Sequence, residues 1–412
     1  MVSRRDFLKL AAVGTCGSAI HNVLSPFGGM MAFADGETSA LSNGKVMVVI
    51  NLAGGASYNI APPFNSAYQA KMSNIFPSNP LTLNSEQGLH PALASLKQVY
   101  DEGHMALVNL AGHANENRSH AESTDIRMSA VVNGSMSNQS GWAARLSCAM
   151  GGFLTLVSLG GSNLFIEGSC NPGKSLSNLN SFGEDNFWWG GQYGAQWLRD
   201  VRDSAITKAN APQNTNAIFV QGAMVNLQGL LEQIEANTNF NLPVAMPSSS
   251  IGQQLRDIAK LIAAPGLGAR VLFAEQGGYD THANEVNSLN NNLSQLNAAI
   301  AGFIDNMKAL ELWDNVILIT LSEFSRTFQN GTDGTDHGHA APMFIAGGQI
   351  NGGVKTPAPT AAQTVGQYYD DSKIHVDFRR VFYEAISKMG SYDMNVIFPE
   401  PFTNTVYNSI GI

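Results

Sequence analysis

Residues 315–339 read NVILITLSEFSRTFQNGTDGTDHGH, and the reading of the fold starts there. Val316 to Leu321 form an unbroken apolar, β-branched run, the pattern of a strand covered on both faces. The run stops at Ser322-Glu323, and a loop rich in Gly, Thr and Asn carries the chain to Asp336, His337 and His339. In open α/β sheets, ligands bind just beyond the carboxyl ends of the strands. Glu323 at such an end, with Asp336, His337 and His339 on the next loop, offers oxygen and imidazole donors together. Ions such as Zn²⁺, Mn²⁺ and Fe favour that donor mixture.

A second cluster lies upstream. Arg270 to Ala274 predicts a strand, and Asp280 and His282 follow it within GGYDTH. Between the two Asp/His pairs runs an expected helix, Asn284 to Leu312. Val286, Leu289, Leu293, Leu296, Ile300, Phe303, Met307 and Leu310 recur along it at steps of three and four. A helix of that length makes the flanking strands parallel, which places both Asp/His pairs at one sheet edge.

The rest of the chain fits an α/β reading. Val46 to Leu52 predicts a buried first strand, ending in Gly54-Gly55, where a neighbouring backbone or a ligand can approach closely. Residues 62–89 read as an irregular surface excursion. Pro91 to Glu102 predicts a helix and Met105 to Leu110 a strand, a βαβ spacing that implies parallel pairing. Further elements are expected as helices near 140–149, 194–208, 216–236, 251–263 and 377–389, and as strands at 153–159 and 342–346. The aromatic stretch 160–194, with Phe182, Phe187, Trp188 and Trp189, reads first as a buried satellite cluster and otherwise as a lid or sugar-facing surface, and 160–250 is the place for any inserted subdomain.

Ser119 has two readings. It sits where a helix N-cap belongs, with Glu122 three residues on as in a capping box. A hydroxyl at a helix N-terminus also faces backbone N–H groups that can hold an anion, and Arg118 beside it can clamp a phosphate or sulfate. His120 completes a candidate catalytic group with them.

Composition bounds the function. The chain has 412 residues, 44% of them hydrophobic, only 13% charged, and a net charge of -9. With no basic stripe to displace counterions, nucleic acid is not an expected partner. At the N-terminus, Arg4-Arg5 with Phe7-Leu8-Lys9 precedes a short apolar run, and Ala32-Phe33-Ala34 offers a cleavage site. This resembles the twin-arginine export signal, here residues 1–34, with residues 35–412 as the mature domain. It implies the twin-arginine translocase as a transient partner and a periplasmic or secreted location. The run is too short and Gly-rich for a stable membrane span, and Thr15 fits poorly with lipidation at Cys16. Cys148 and Cys170 remain after cleavage, either bridged or as two buried thiols.

Taken in order, the export signal, the Gly-Gly turn, NRSH at 117–120, SGW at 140–142, GGYDTH at 277–282, SEFSRT at 322–327, GTDHG at 334–338 and DFRR at 377–380 resemble the family called domain of unknown function 1501. That family is assigned by similarity to the alkaline phosphatase/sulfatase superfamily. The resemblance implies a three-layer α/β sandwich with a largely parallel central sheet. It also implies one or two divalent metals, among them Zn, Mn or Ca, and a Ser nucleophile falling at Ser119. Asp280, His282, Asp336 and His337 match the metal-ligand positions, and Glu323 lies where the superfamily often carries Asp. One departure is Ser57, where the family commonly has an Asp that would serve a second metal. The implied activity is hydrolysis of a phosphate or sulfate ester, on a small molecule or a glycan. The contrasting expectation is a non-catalytic envelope or glycan-binding protein on a degenerate hydrolase scaffold.

Overall fold

The computed structural model describes residues 44–114, 116–133, 140–152, 154–179, 233–360, 364–365, 368–369 and 374–412. The export signal, Cys16, the aromatic run at 182–189 and the helices expected at 194–208 and over most of 216–236 lie outside these residues.

The elements that place the site begin with β1 (Val46–Leu52), α1 (Ala94–Asp101), β2 (Met105–Gly112), α2 (His120–Ser129) and α3 (Trp142–Met150). Next come β3 (Leu156–Ser158), β4 (Lys174–Ser175), α4 (Ser250–Ala263), β5 (Val271–Gln276) and α5 (Glu285–Ala309). The C-terminal part supplies β6 (Val316–Leu321), β7 (Arg326–Gln329), β8 (Thr335–His337), β9 (Ala341–Ala346), β10 (Gly353–Val354), β11 (Val376–Asp377) and α6 (Phe378–Met389). The excursion at 62–89 is more regular than expected. It holds a short helix, Ser66–Lys71, and a two-residue ladder pairing Leu81–Thr82 with Gly88–Leu89.

Strand order in the main sheet is β10-β2-β9-β6-β1-β5-β3-β4, with β11 also paired to β2. β1 lies between β5 and β6 and is parallel to both, so Asn51 sits level with Glu275 on one side and Leu321 on the other. β3, β4, β10 and β11 keep the same direction along their partners. β9 alone runs against its neighbours, β2 and β6. The βαβ expectation therefore needs correction. β1 and β2 do point the same way, but β6 and β9 separate them. A short apolar run such as Ala341–Ala346 carries no signal for direction, and its chain enters from a hairpin at the far edge.

Alternation along the strands builds two cores. Val46, Val48 and Ile50 face one side with Leu272 and Leu318, under α1, α4 and α5. Met47 and Val49 face the other with Phe273 and Ile319, under α2, α3 and α6. The result is helix, mixed and largely parallel sheet, helix, as the family resemblance implies. Each residue pair one position apart thus serves opposite layers, which explains why β1 is apolar throughout. On the second face, Trp142 fills the space between Phe165 and Phe382, with ring centroids 4.9 and 4.5 Å away. Cys148 on α3 is bonded to Cys170, with Cα atoms 5.6 Å apart, so the bridged alternative is the one present. Among the described residues, no helix is long and apolar enough to cross a membrane.

Candidate metal centre

Because β1, β2, β5 and β6 are parallel, their carboxyl ends share one edge, and the chain leaving each contributes to one cluster. Past β5 comes Asp280-Thr281-His282, and past β6 comes Ser322-Glu323 followed by the β7–β8 hairpin, which carries Asp336 and His337. Past β2 comes the 113–119 loop and then His120, the first residue of α2.

The turn after β1 makes this convergence sterically feasible. Gly54 and Gly55 have φ of +120° and +102°, a region that side chains disfavour. A Cβ on Gly54 would fall 2.2 Å from the Asp280 backbone nitrogen, and one on Gly55 would fall 2.8 Å from the Arg326 Cδ and the Phe324 ring. The Gly54 N–H donates to Glu323 Oε1 at 2.8 Å, and its carbonyl accepts from Arg326 Nη1 at 2.9 Å. Ser322 ties the same turn to β6. Its hydroxyl donates to the Leu52 carbonyl at 2.8 Å and accepts from the Ala56 N–H at 3.0 Å.

Three imidazoles meet at Asp280. His282 Nε2 and His337 Nε2 each lie 3.1 Å from Asp280 Oδ1 and 3.1 Å from one another. His120 Nε2 lies 3.5 Å from the other oxygen, Oδ2. The far nitrogen of every ring faces an oxygen. His120 Nδ1 is 2.9 Å from Glu323 Oε1, His282 Nδ1 is 3.0 Å from Asp336 Oδ1, and His337 Nδ1 is 2.8 Å from the Arg118 carbonyl. Such acceptors hold the proton on Nδ1 and turn the Nε2 lone pair inward, the arrangement found around metal-bound histidines. Phe324 stacks on His337 with centroids 4.8 Å apart and fixes the plane of that ring.

Ligands at 2.0–2.2 Å from a common ion stand roughly 3–3.5 Å apart at octahedral or tetrahedral angles. The three separations of 3.1 Å among Asp280, His282 and His337 meet that condition. His120, Asp280 and His337 also present one ligand atom each to a common space, with His120 Nε2 the most distant from Asp280 at 3.5 Å. The donor set is three imidazole nitrogens and one carboxylate, so its chemistry fits a divalent ion.

Charge is tuned by Arg326, which is buried and donates to Asp280 Oδ1 at 2.6 Å and to the Thr335 carbonyl at 2.8 Å. Burial pushes Asp280 upward, but the Arg326 guanidinium, with His282 and His120, brings the carboxyl below its usual range. Asp336 is likewise raised by burial, then brought below its ordinary value by His282 and Asn330. Beneath the centre, Glu285 is fully buried and accepts from Ser57 at 2.8 Å, Asn59 at 2.9 Å, Thr335 at 2.7 Å and Thr281 at 3.2 Å. Burial dominates those four donors and raises its affinity for a proton.

Of the residues expected to bind metal, Asp280, His282 and His337 are thus brought together, and His120 joins them from the expected catalytic group. Glu323 and Asp336 stand one layer out, each against the far nitrogen of a histidine. His339 is placed elsewhere, with Nδ1 3.9 Å from Glu116 Oε2. Glu116 also receives Arg127 Nη2 at 2.6 Å, and Arg127 Nε donates to the Glu323 carbonyl at 3.2 Å. Ser119 is the N-cap of α2 and exposed, its hydroxyl accepting from the Glu122 N–H at 3.5 Å. The Arg118 side chain is exposed beside it. Sequence reasoning missed Arg326 and Glu285. SEFSRT does contain Arg326, but nothing in the motif distinguishes a buried guanidinium from a surface one.

Residues 259–398 match the family described as Protein of unknown function (DUF1501), the family expected from the motifs. No curated protein matches the chain. Similar solved structures include a protein in the alkaline phosphatase superfamily from Vibrio parahaemolyticus, at 14% identity and TM-score 0.33, covering 86% of this chain and 72% of that one. A sulfatase from Pseudoalteromonas sp. has 8% identity and TM-score 0.38 over 95% and 73% of the two chains. Alkaline phosphatase from the Antarctic bacterium TAB5 has 11% identity and TM-score 0.35 over 85% and 100%.

Proposed function

We propose that this chain is an exported, metal-dependent hydrolase of phosphate or sulfate esters. The observation that carries the reading is the set of three imidazoles at Asp280, each with its far nitrogen against an oxygen acceptor. A satisfied surface cluster has no need to turn three nitrogen lone pairs onto one carboxylate. Three nitrogen donors suit Zn or Mn better than Ca, which prefers an all-oxygen shell.

A divalent ion held there would polarise the ester oxygens and lower the pKa of a nearby hydroxyl. Asp280, His120, His282 and His337 would hold the ion, while Glu323, Asp336 and the Arg118 carbonyl keep the rings in register. Ser119, next in the chain to His120, is the nucleophile of this reading: its hydroxyl would give its proton to solvent and attack phosphorus or sulfur from the α2 N-terminus, the ester oxygen would leave with a proton as the alcohol, and water would then release phosphate or sulfate from Ser119. The Arg118 guanidinium and the free N–H groups of the first turn receive the negative oxygens. A small-molecule or glycan ester is the substrate class. Export through the twin-arginine translocase to the periplasm or beyond rests on Arg4-Arg5. It is supported by the Cys148–Cys170 bond, which persists in an oxidising compartment.

The test is elemental analysis of the purified full chain together with a panel of phospho- and sulfo-esters. Bound Zn or Mn and turnover that disappears with chelator are expected. An empty site and no turnover across the panel would overturn the proposal.

A further inference from the structure

We infer that the centre is built for a single divalent ion, held by His120, Asp280, His282 and His337, and not for a pair. The inference rests on the reading of this cluster as a metal centre and goes beyond it in fixing the number of ions and the role of each acidic neighbour.

The donors form two triads, His282–Asp280–His337 and His120–Asp280–His337, and they share two of their three members. His337 is the decisive one. Its Nδ1 faces the Arg118 carbonyl at 2.8 Å, which leaves Nε2 as its single donor. An imidazole nitrogen has one lone pair and cannot serve two ions. The two triads are therefore parts of one coordination sphere, or alternatives for one ion, and not two independent sites.

Among the described residues, no other side chain at this edge supplies a second set. Glu323 and Asp336 are each engaged by a ring nitrogen, at 2.9 and 3.0 Å, and Glu323 Oε1 also accepts the Gly54 N–H. Asp280 Oδ1 is capped by the Arg326 guanidinium at 2.6 Å, a fixed positive charge on the side facing the β1 turn. On that turn the side-chain oxygen is Ser57, and its hydroxyl donates to Glu285 at 2.8 Å. Charge leads to the same count. Among the described residues, the charged side chains hydrogen-bonded to the four donors are Glu323, Asp336 and Arg326; with Asp280 they leave two negative charges, which one divalent ion neutralises. A second ion would have to settle beside a buried guanidinium with no carboxylate of its own.

The experiment titrates Zn²⁺ alone into the chelator-stripped full chain and counts bound ions by native mass spectrometry and by calorimetric stoichiometry. One ion per chain is expected. Two tightly bound ions would overturn the single-ion inference and leave the metal-centre reading standing, whereas no bound ion would end both. His120→Ala and His282→Ala supply the second arm, since both side chains are partly exposed and their loss leaves the core intact. In a shared sphere each variant weakens the same ion at least tenfold. If either variant drops one of two ions and leaves the other at wild-type affinity, the inference fails.

Discussion

The Nε2 atoms of His282 and His337 lie 3.1 Å apart, two ring nitrogens from different strand ends facing each other. Two lone pairs at that distance repel unless a proton or a cation lies between them. Metal should therefore stabilise the fold as well as enable turnover. At a free Zn²⁺ concentration 100 times the dissociation constant, about 2.7 kcal/mol is expected. Thermal unfolding with and without chelator measures it, and a melting temperature indifferent to Zn²⁺ would contradict this account of the pair.

Gly54→Ala should be severe. The added methyl meets the Asp280 backbone at 2.2 Å, and φ of +120° strains any side chain. A loss above about 2 kcal/mol is expected. Because Asp280 is the atom pushed, metal affinity should fall as well. Gly103→Ala is the control for left-handed strain alone, since nothing lies within 4 Å of its Cβ position. Equal effects of the two changes on Zn²⁺ binding would rule out the steric account.

Ser57→Asp would supply the carboxylate that the resemblance leads one to expect after the Gly-Gly turn. Here it should destabilise, because Ser57 Oγ is a buried donor to Glu285 and an aspartate can only accept. Two carboxylates in one buried site, with the donor gone, should cost about 3–5 kcal/mol. Denaturant unfolding gives the figure. A Ser57→Asp protein as stable as wild type, with a second bound ion, would mean the network is more adaptable than its geometry implies.

Ser119 separates its two roles by substitution. As a cap alone, Ser119→Ala costs about 1 kcal/mol and Ser119→Asp almost nothing, with turnover preserved in both. As the nucleophile, Ser119→Ala and Ser119→Asp both lose turnover while Zn²⁺ content stays at the wild-type level. Rate and metal content measured on the same preparations decide between the roles.

Acid should unfold the metal-free protein through two buried histidines outside the centre. Burial, reinforced by Arg127, holds His113 down to about 3, and burial alone holds His90 down to about 4. The unfolded chain takes up those protons near ~6.5, so this stability is complete above that pH. It is lost on acidification, by about 1.4 kcal/mol per pH unit for each histidine. Both contribute down to about 4, and His113 alone continues to about 3. Urea midpoints across this range should fall less steeply for His113→Gln than for wild type. Parallel slopes would show that His113 charges freely in the fold.

Much of the architecture was legible because it depends on apolar period. Val46–Leu52 and Val316–Leu321 are continuous apolar strands whose observed ends coincide with the expected ones, and the stripe on α5 is read from Leu289 to Met307. The two Asp/His pairs were legible for the same reason, since each follows a strand whose direction the helix between them fixes. What stayed hidden depends on distances of a few tenths of an ångström. Whether Glu323 touches an ion or the far side of His120 is a matter of rotamer and turn geometry, which composition does not carry. His339 is two residues from His337, yet its ring lies against Glu116, outside the cluster. Glu285 reads as an ordinary acidic first-turn residue until Ser57 and Asn59, more than 200 positions earlier, close over it.

The lone antiparallel strand also dictates an order of assembly. β2 is complete at Gly112, yet among the described residues its sheet partners are β9, β10 and β11, all beyond residue 340. Until those residues emerge from the ribosome, β2 lacks these partners, and the start of α2, where His120 sits, has no fixed floor. A chain truncated before Ala341 is therefore expected to lack the assembled cluster. Its donors come together only when the C-terminal strands dock, so metal capture and completion of the polypeptide are coupled by topology.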